Sequence, residues 1–218
     1  MCAFKSIDML PQTREEYGDV SLLESDMDLN PIEQFKRWFD EYAQTEPTTN
    51  NAMVLSTVDQ NNQPDSRVVL LKELADGAFV FYTHYSSTKG LQIEANPWVA
   101  LNFYWPQLSR QVRVRGKVHR VNAEQSDEYF HSRPLKSQIS SIASHQSQVI
   151  PSQEALIATY QRVSTEYQNA GIIRPESWGG YAVVPSQIEF WQGRDNRLHD
   201  RIQYSRQNEQ WTMHRLAP

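Results

Sequence analysis

At 218 residues, 39% of them hydrophobic and 22% charged, the chain is long enough for one sizeable core and reads as an ordinary globular protein on the polar side. A formal net charge of −5 argues against a general nucleic-acid binder, which is normally basic, and no apolar run approaches the roughly 20 residues of a membrane span. The single cysteine, Cys2, permits no intramolecular disulfide and no thiolate metal site. The N-terminus lacks the apolar core of a signal peptide, so a reducing cytoplasm is the expected compartment.

Residues 1–29 are polar and acidic without a sustained hydrophobic period. They read as a mobile arm, with room for a short helix around Arg14 to Tyr17. From residue 30 to 218 no linker, repeat or low-complexity stretch divides the chain, so one domain is expected. Asn30-Pro31 is an N-cap followed by proline at the first helical position. Ile32, Phe35, Trp38, Phe39 and Tyr42 then recur at helical spacing, predicting an amphipathic helix to about Ala43.

Strands follow. Met53–Val58, Arg67–Lys72 and Ala78–Thr83, joined by turn-rich segments, predict an antiparallel meander. Ser87 to Asn96 reads as a helix stopped by Asn96-Pro97. Trp98–Trp105 and Arg110–Val121 are further strands, and Ala123–Ser132, Leu135–Ser144 and Gln153–Gln168 are helices. Trp178-Gly179-Gly180 opens the last strand group. Six or seven strands with helices in the connections predict a mostly β chain with helices (α+β), a closed or split antiparallel barrel.

In the last group, Ile188, Glu189, Phe190 and Trp191 alternate as a strand, Gly193 breaks it, and Asp195-Asn196 has the composition of a tight turn. Arg197, His199 and Arg201 then recur at period two, which on an extended segment puts all three on one face. Two guanidiniums flanking an imidazole suit a bound phosphate, whose oxygens the planar fork fits bidentately. The competing reading is a solvated face paired with Glu189, Asp195 and Asp200.

Two other stretches carry anion chemistry. Arg67 and Lys72 end an apolar strand, five residues apart and so facing opposite ways, which suits two anions rather than one. The alternative is a buried strand ended by solvated charges. Tyr129 and Arg133 are one helical turn apart, and Ser137 falls in the first turn of the next helix, where backbone N–H groups point at anions. A plain cap-and-turn arrangement would use the same residues. No Gly-x-Gly-x-x-Gly phosphate loop is present, so any phosphate must be held by side chains. His84, His119, His131, His145 and His214 show no metal spacing, and no metal is expected. Arg113, Arg115 and Lys117 alternate along one strand and read as a charged barrel face.

The fourteen residues 188–201 resemble the C-terminal signature of the pyridoxine (pyridoxamine) 5′-phosphate oxidases. The match lies in Glu189, Trp191, Gln192, Arg197, His199, Asp200 and Arg201 at the family's spacing. The resemblance runs from about Pro31 to Pro218 and is strongest over 67–89, 129–137 and 188–201. It implies an FMN-binding split barrel that works as a homodimer. By that resemblance FMN is bound by Arg67, Val68, Val69, Leu70, Lys72, Tyr82, Thr83, Thr88, Lys89, Gln111, Gln146, Ser147, Trp191 and Arg201. Trp191 and Arg201 would lie across the dimer interface from Arg67 and Lys89.

The substrate would be bound by Arg14, Tyr17, Lys72, Tyr129, Arg133, Ser137, Arg197 and His199, the last two acting in catalysis. The implied reaction oxidises pyridoxine 5′-phosphate or pyridoxamine 5′-phosphate to pyridoxal 5′-phosphate. Hydride passes from substrate C4′ to flavin N5, and O2 is reduced to hydrogen peroxide. The chain departs from many relatives at Thr88, where they carry an arginine, and from some at Leu23-Glu24-Ser25, which replaces a basic run. Two other readings fit the same residues: a split-barrel flavoprotein with another electron donor, and a non-catalytic carrier of flavin or pyridoxal phosphate.

Overall fold

The computed structural model describes residue 17 and residues 20–48, 50–167 and 171–218. Helix α1 spans Pro31–Thr45, with the Asn30 side chain accepting from the Ile32 N–H at 3.0 Å, as the cap-and-proline pattern predicts. Its apolar stripe, Phe35, Trp38 and Tyr42, is buried against the sheet. Phe35 meets Phe79 and Phe103 edge-on at 4.9 Å, Trp38 meets Phe190 at 5.2 Å, and Tyr42 stacks on Trp105 at 5.4 Å. Emptying the Phe35 site with alanine would cost about 3–5 kcal/mol, the usual range for a fully buried aromatic.

The strands are β1 (Ala52–Val58), β2 (Pro64–Leu70), β3 (Glu73–Ala75), β4 (Ala78–His84), β5 (Trp98–Trp105), β6 (Arg110–Arg120), β7 (Trp178–Gln192), β8 (Asp200–Gln207) and β9 (Gln210–Leu216). Every pairing among them is antiparallel, and they form one curled half-barrel sheet in the order β2-β1-β5-β6-β7-β4-β3, with β8 on β7 and β9 on β8. The expected mostly β split-barrel architecture is what the chain adopts, with nine strands among the described residues rather than six or seven. The extra ones are short β3 and the β8–β9 hairpin within the last strand group.

Helices α2 (Thr88–Ala95), α3 (Ala123–Ser132), α4 (Leu135–Ala143) and α5 (Gln153–Glu166) fill the connections. The last three enclose a second core of Phe130, Ile139, Ala143, Val163, Ile172 and Trp178. Among the described residues no helix is long and apolar enough to cross a membrane.

Strand β7 organises the molecule. Its first part, Trp178–Val183, pairs with β4, and its last part, Gln187–Gln192, pairs with β8. A register shift against β6 at Arg115/Gly116 lies between the two parts. Residues 20–29 lie against the far end, where the Tyr204 hydroxyl donates to the Asp28 carbonyl at 2.6 Å.

Two sequence expectations are corrected here. Residues 197–201 are not one extended segment: Asp195–Arg197 forms a 3-10 turn with Asn196 at φ 55° and Arg197 at φ 62°, and the strand resumes only at Asp200. Arg197, His199 and Arg201 therefore do not share a strand face. Two successive non-glycine residues at positive φ cost of order 1–3 kcal/mol each, so surrounding contacts must hold this loop. The stretch 67–72 is also not a buried strand. It lies at the sheet edge, ends at Leu70, and leaves Val68 66% and Leu70 43% exposed.

Candidate active site

The expected site residues fall into two groups at opposite ends of β7. Trp178 belongs to one and Trp191 to the other. Thirteen residues of extended chain separate them, up to about 40 Å of strand.

The first group lines a cleft of about 520 Å³ between β2, β4, α3 and α4. It brings together Val68, Val69, Leu70, Lys72, Tyr82, Thr83, Lys89, Tyr129, Arg133 and Gln146. The last residue of β4, His84, and the start of β7, Trp178, also border it. Tyr82 is stacked between Tyr129, at 3.8 Å, and Trp178, at 5.6 Å. This stack depends on Gly180, paired with Tyr82 across the sheet, because a Cβ there would lie 2.7 Å from the Tyr82 ring.

Lys89 is the chemically informative residue. It sits in the first turn of α2, is only 8% exposed, and donates to Gln146 Oε1 at 2.8 Å and to Thr83 Oγ1 and Ser87 Oγ at 3.3 Å. All three acceptors are neutral, and among the described residues no carboxylate forms an ion pair with it. Burial, with the nearby Arg67 charge and only partly offset by Asp65, pulls the ammonium down to about 8. A buried cation with no direct carboxylate partner is costly unless an anion completes it. His84 beside it is pushed down to about 4, first by burial and then by Lys89, Arg133 and His145, so it stays neutral near pH 7.

Arg133 forms the other wall. Helix α3 stops at Ser132, one residue short of it, and Arg133 is extended. Its guanidinium lies 4.6 Å from the centre of the Trp178 ring and donates to Ser141 Oγ and the Ser137 carbonyl, both at 2.9 Å. The Ser137 N–H is already given to the Pro134 carbonyl at 2.8 Å, so the expected backbone anion donor at this position is occupied. Ser137 itself is not among the residues that line the cleft; its carbonyl serves to hold the Arg133 guanidinium.

Sequence reading missed Ser140, Ser141 and Ser144, which also line the cleft. The signal was present: they follow Ser137 at helical spacings of three, four and seven, on the face that carries it. Arg67 is held at the strand edge by Asp65 at 2.5 Å and Thr57 at 2.7 Å. Thr88 faces a separate hollow with Asp59, Gln60 and Leu91, away from the cleft. Ser147 follows Gln146 at φ 72°.

The second group lies across β6, β7 and β8. Gln111, Trp191 and Arg201 are register partners on adjacent strands and so share a sheet face, with the 60% exposed Tyr104 next in the row. His199 packs on Trp191 at 4.7 Å, and the Tyr17 ring stands edge-on to both, at 5.5 and 5.9 Å. Gly193 makes room for that ring, since a Cβ there would lie 2.7 Å from it.

Arg201 is clamped by Glu189, with Nε to Oε1 at 2.9 Å and a second bond at 3.1 Å, and donates once more to the Ala217 carbonyl. Three of its five N–H groups are thus used and two remain for a ligand. Arg197 is exposed and makes no ion pair among the described residues. Arg14 lies outside the described residues.

The fold defines the class first. The chain is a split-barrel protein, similar to the solved structure of PhzG from Burkholderia lata in complex with tetrahydrophenazine-1-carboxylic acid. That match has a TM-score of 0.85 at 28% identity and covers 93% of this chain and all of that one. A related FMN-binding protein from Nostoc punctiforme has the same fold, with a TM-score of 0.70 at 17% identity over 88% of this chain.

Residues 39–167 match the family model for pyridoxamine 5′-phosphate oxidase, and residues 178–218 match the pyridoxine 5′-phosphate oxidase C-terminal dimerisation region. A pyridoxine/pyridoxamine 5′-phosphate oxidase of Legionella pneumophila is 54% identical over the full length of both chains. One from Leptospira interrogans is 48% identical over 96% of this chain and 98% of its own. The chain belongs to the pyridoxamine 5′-phosphate oxidase family.

Proposed function

We propose that this protein oxidises pyridoxine 5′-phosphate and pyridoxamine 5′-phosphate to pyridoxal 5′-phosphate with FMN as cofactor and O2 as electron acceptor. It acts as a cytoplasmic homodimer built on a single domain, residues 30–218. The observation that carries this reading, beside family membership, is the buried Lys89 ammonium with only neutral partners at the cleft. A phosphate monoester supplies the missing negative charge. The exposed apolar edge of Val68 and Leu70 next to it suits one face of a flat ring.

The residues present fit FMN, with Lys89, Thr83, Gln146 and Arg67 toward its phosphate. Bound FMN would accept the hydride from substrate C4′ and pass the electrons to O2. The chain's own work is binding, orientation and charge. Lys72, Arg133 and Tyr129 hold the substrate phosphate, and Ser141 holds the Arg133 fork in place. Arg197 and His199 come from the far end of β7, so they serve a cleft on the partner subunit. There Arg197 covers the substrate ring and stabilises charge developing at C4′, and His199 offers a hydrogen bond to the ring substituents. The family model over residues 178–218 supports the dimer this division requires.

The purified protein should show a flavin spectrum and form peroxide with both phosphorylated vitamers. Each charge-assisted phosphate contact is worth roughly 1.5–3 kcal/mol, so unphosphorylated pyridoxine should lose orders of magnitude in kcat/KM. Equal kcat/KM with and without the phosphate would overturn the assignment.

A further inference from the structure

We propose that Asp200 is a positioning residue that ties chain segment 20–24 to the loop bearing Arg197 and His199, so that seating the one orders the other. This rests on the function proposed above. Asp200 opens β8, and its carboxylate, 16% exposed, accepts from three separate parts of the chain. Its Oδ2 takes the Leu22 N–H at 3.0 Å and the Arg194 guanidinium at 3.1 Å, and its Oδ1 takes the Arg215 guanidinium at 2.6 Å. Arg215 in turn holds Glu24 through two bonds, at 2.7 and 2.8 Å, and donates to the Leu22 carbonyl at 2.7 Å. Leu22 is therefore gripped at both its N–H and its carbonyl, once by Asp200 and once by an arginine that Asp200 holds.

The other end of the coupling is at His199. The Arg194 backbone N–H donates to His199 Nδ1 at 3.0 Å. An accepting Nδ1 carries no proton, so the neutral ring presents Nε2–H as its donor. Asp200 fixes the Arg194 side chain and hence the backbone whose N–H selects this tautomer. Asn196 and Arg197, at positive φ, gain no support from regular strand pairing, and this loop depends on such tertiary contacts. In Asp200→Asn the charge is lost and one oxygen becomes an amino group, so either Arg215 or the Leu22 N–H with Arg194 is left facing a donor. Chain 20–24 and loop 193–199 would loosen together, and with them the packing of Tyr17 on His199 and Trp191.

The test compares wild type with Asp200→Asn and Asp200→Glu as flavin-loaded dimers. In Asp200→Asn, flavin content should be unchanged. KM for pyridoxine 5′-phosphate should rise about tenfold with kcat changed less than about threefold, the pattern of lost positioning rather than lost chemistry. Nitrogen-15 NMR of the histidines, assigned with His199→Gln, should show His199 losing its preference for Nε2–H. Hydrogen exchange across residues 20–24 should quicken, and Asp200→Glu should recover part of KM. An unchanged tautomer and KM in Asp200→Asn would overturn the proposal. So would a joint fall of flavin content, melting temperature and kcat, the mark of a merely structural role. The tautomer and exchange measurements need no turnover. A wild type that forms no peroxide but shows the tautomer change on Asp200→Asn therefore supports the coupling and counts against the proposed activity alone.

Discussion

The two ends of β7 treat their cations in opposite ways. At the Trp178 end, Lys89 and Arg133 are held by neutral oxygens: Gln146, Thr83 and Ser87 for the lysine, Ser141 and the Ser137 carbonyl for the arginine. At the Trp191 end the arginines meet carboxylates, Arg201 with Glu189, Arg194 with Asp200, and Arg215 with Glu24 and Asp200. Neutral partners orient a cation without cancelling it, which leaves a field for a ligand anion. Carboxylate partners cancel it and leave a rigid frame. The first end is thus suited to binding charge and the second to placing side chains. Arg67, paired with Asp65 at the cleft edge, and Arg197, exposed with no ion pair among the described residues at the far end, depart from this contrast.

The sharpest way to break this comparison is subunit complementation. A chain with Lys72→Met and Lys89→Met has a disabled cleft, and a chain with Arg197→Met has a disabled far end. Each homodimer should be nearly inactive. Dissociated and randomly reassembled, the mixture should recover roughly a quarter of wild-type activity, because half the dimers are mixed and each has one intact composite site. No recovery would mean that both ends serve a site within one chain.

Next in size is Arg197→Met alone. It keeps length and apolar contact but removes the charge, and turnover should fall by roughly 10²-fold, as for one well-placed electrostatic donor. Flavin absorbance should be retained, and a parallel loss of flavin would make Arg197 a cofactor ligand instead. Lys89→Met should do the reverse, weakening flavin binding by about 10- to 100-fold, the worth of a charge-assisted bond. In the flavin-free protein the same change should raise the melting temperature, because it removes a buried uncompensated ammonium.

The pH dependence follows from the lowered value of about 8 for Lys89. In the flavin-free protein its charge is a stability cost present in full below about pH 8, and the cost fades as pH rises toward the ordinary lysine range. Anion affinity changes the opposite way. Above about pH 8 the lysine must first take up a proton, so flavin affinity should drop by up to about tenfold per pH unit, readable as fluorescence quenching. Lys89→Met should flatten that slope. The smallest effect is expected at Ser141→Ala, which removes one neutral acceptor from Arg133. KM for the phosphorylated substrate should rise about three- to tenfold while flavin binding stays put.

Much of the architecture was legible in the residues. The Asn30-Pro31 cap, the Phe35–Trp38–Tyr42 stripe and the Arg110–Val121 strand report local geometry, and the structure follows them closely. Several residues lining the cleft, such as Tyr82, Thr83, Lys89 and Tyr129, were legible as separate short patterns because they lie on regular elements. What misled was period two over Arg197, His199 and Arg201. Alternation implies a shared face only where the backbone is extended, and two left-handed residues interrupt it. Nothing in the composition Asp195-Asn196-Arg197 forces Arg197 out of the strand region; the contacts around the loop do. The serines of α4 were visible too, but serine on a helix carries no meaning until an arginine is found beside it.

The sequence alone determined the order and type of most elements, the absence of a glycine-rich phosphate loop and the identity of the cationic residues. These depend on interactions within a few residues along the chain. Tertiary structure decided which cations stay uncompensated and which are neutralised, because the partners of Lys89, Arg133, Arg201 and Asp200 come from up to 178 residues away. It also decided that β7 runs unbroken from Trp178 to Gln192. That length carries Arg197 and His199 away from the cleft of their own chain, since an extended strand cannot fold its two ends together.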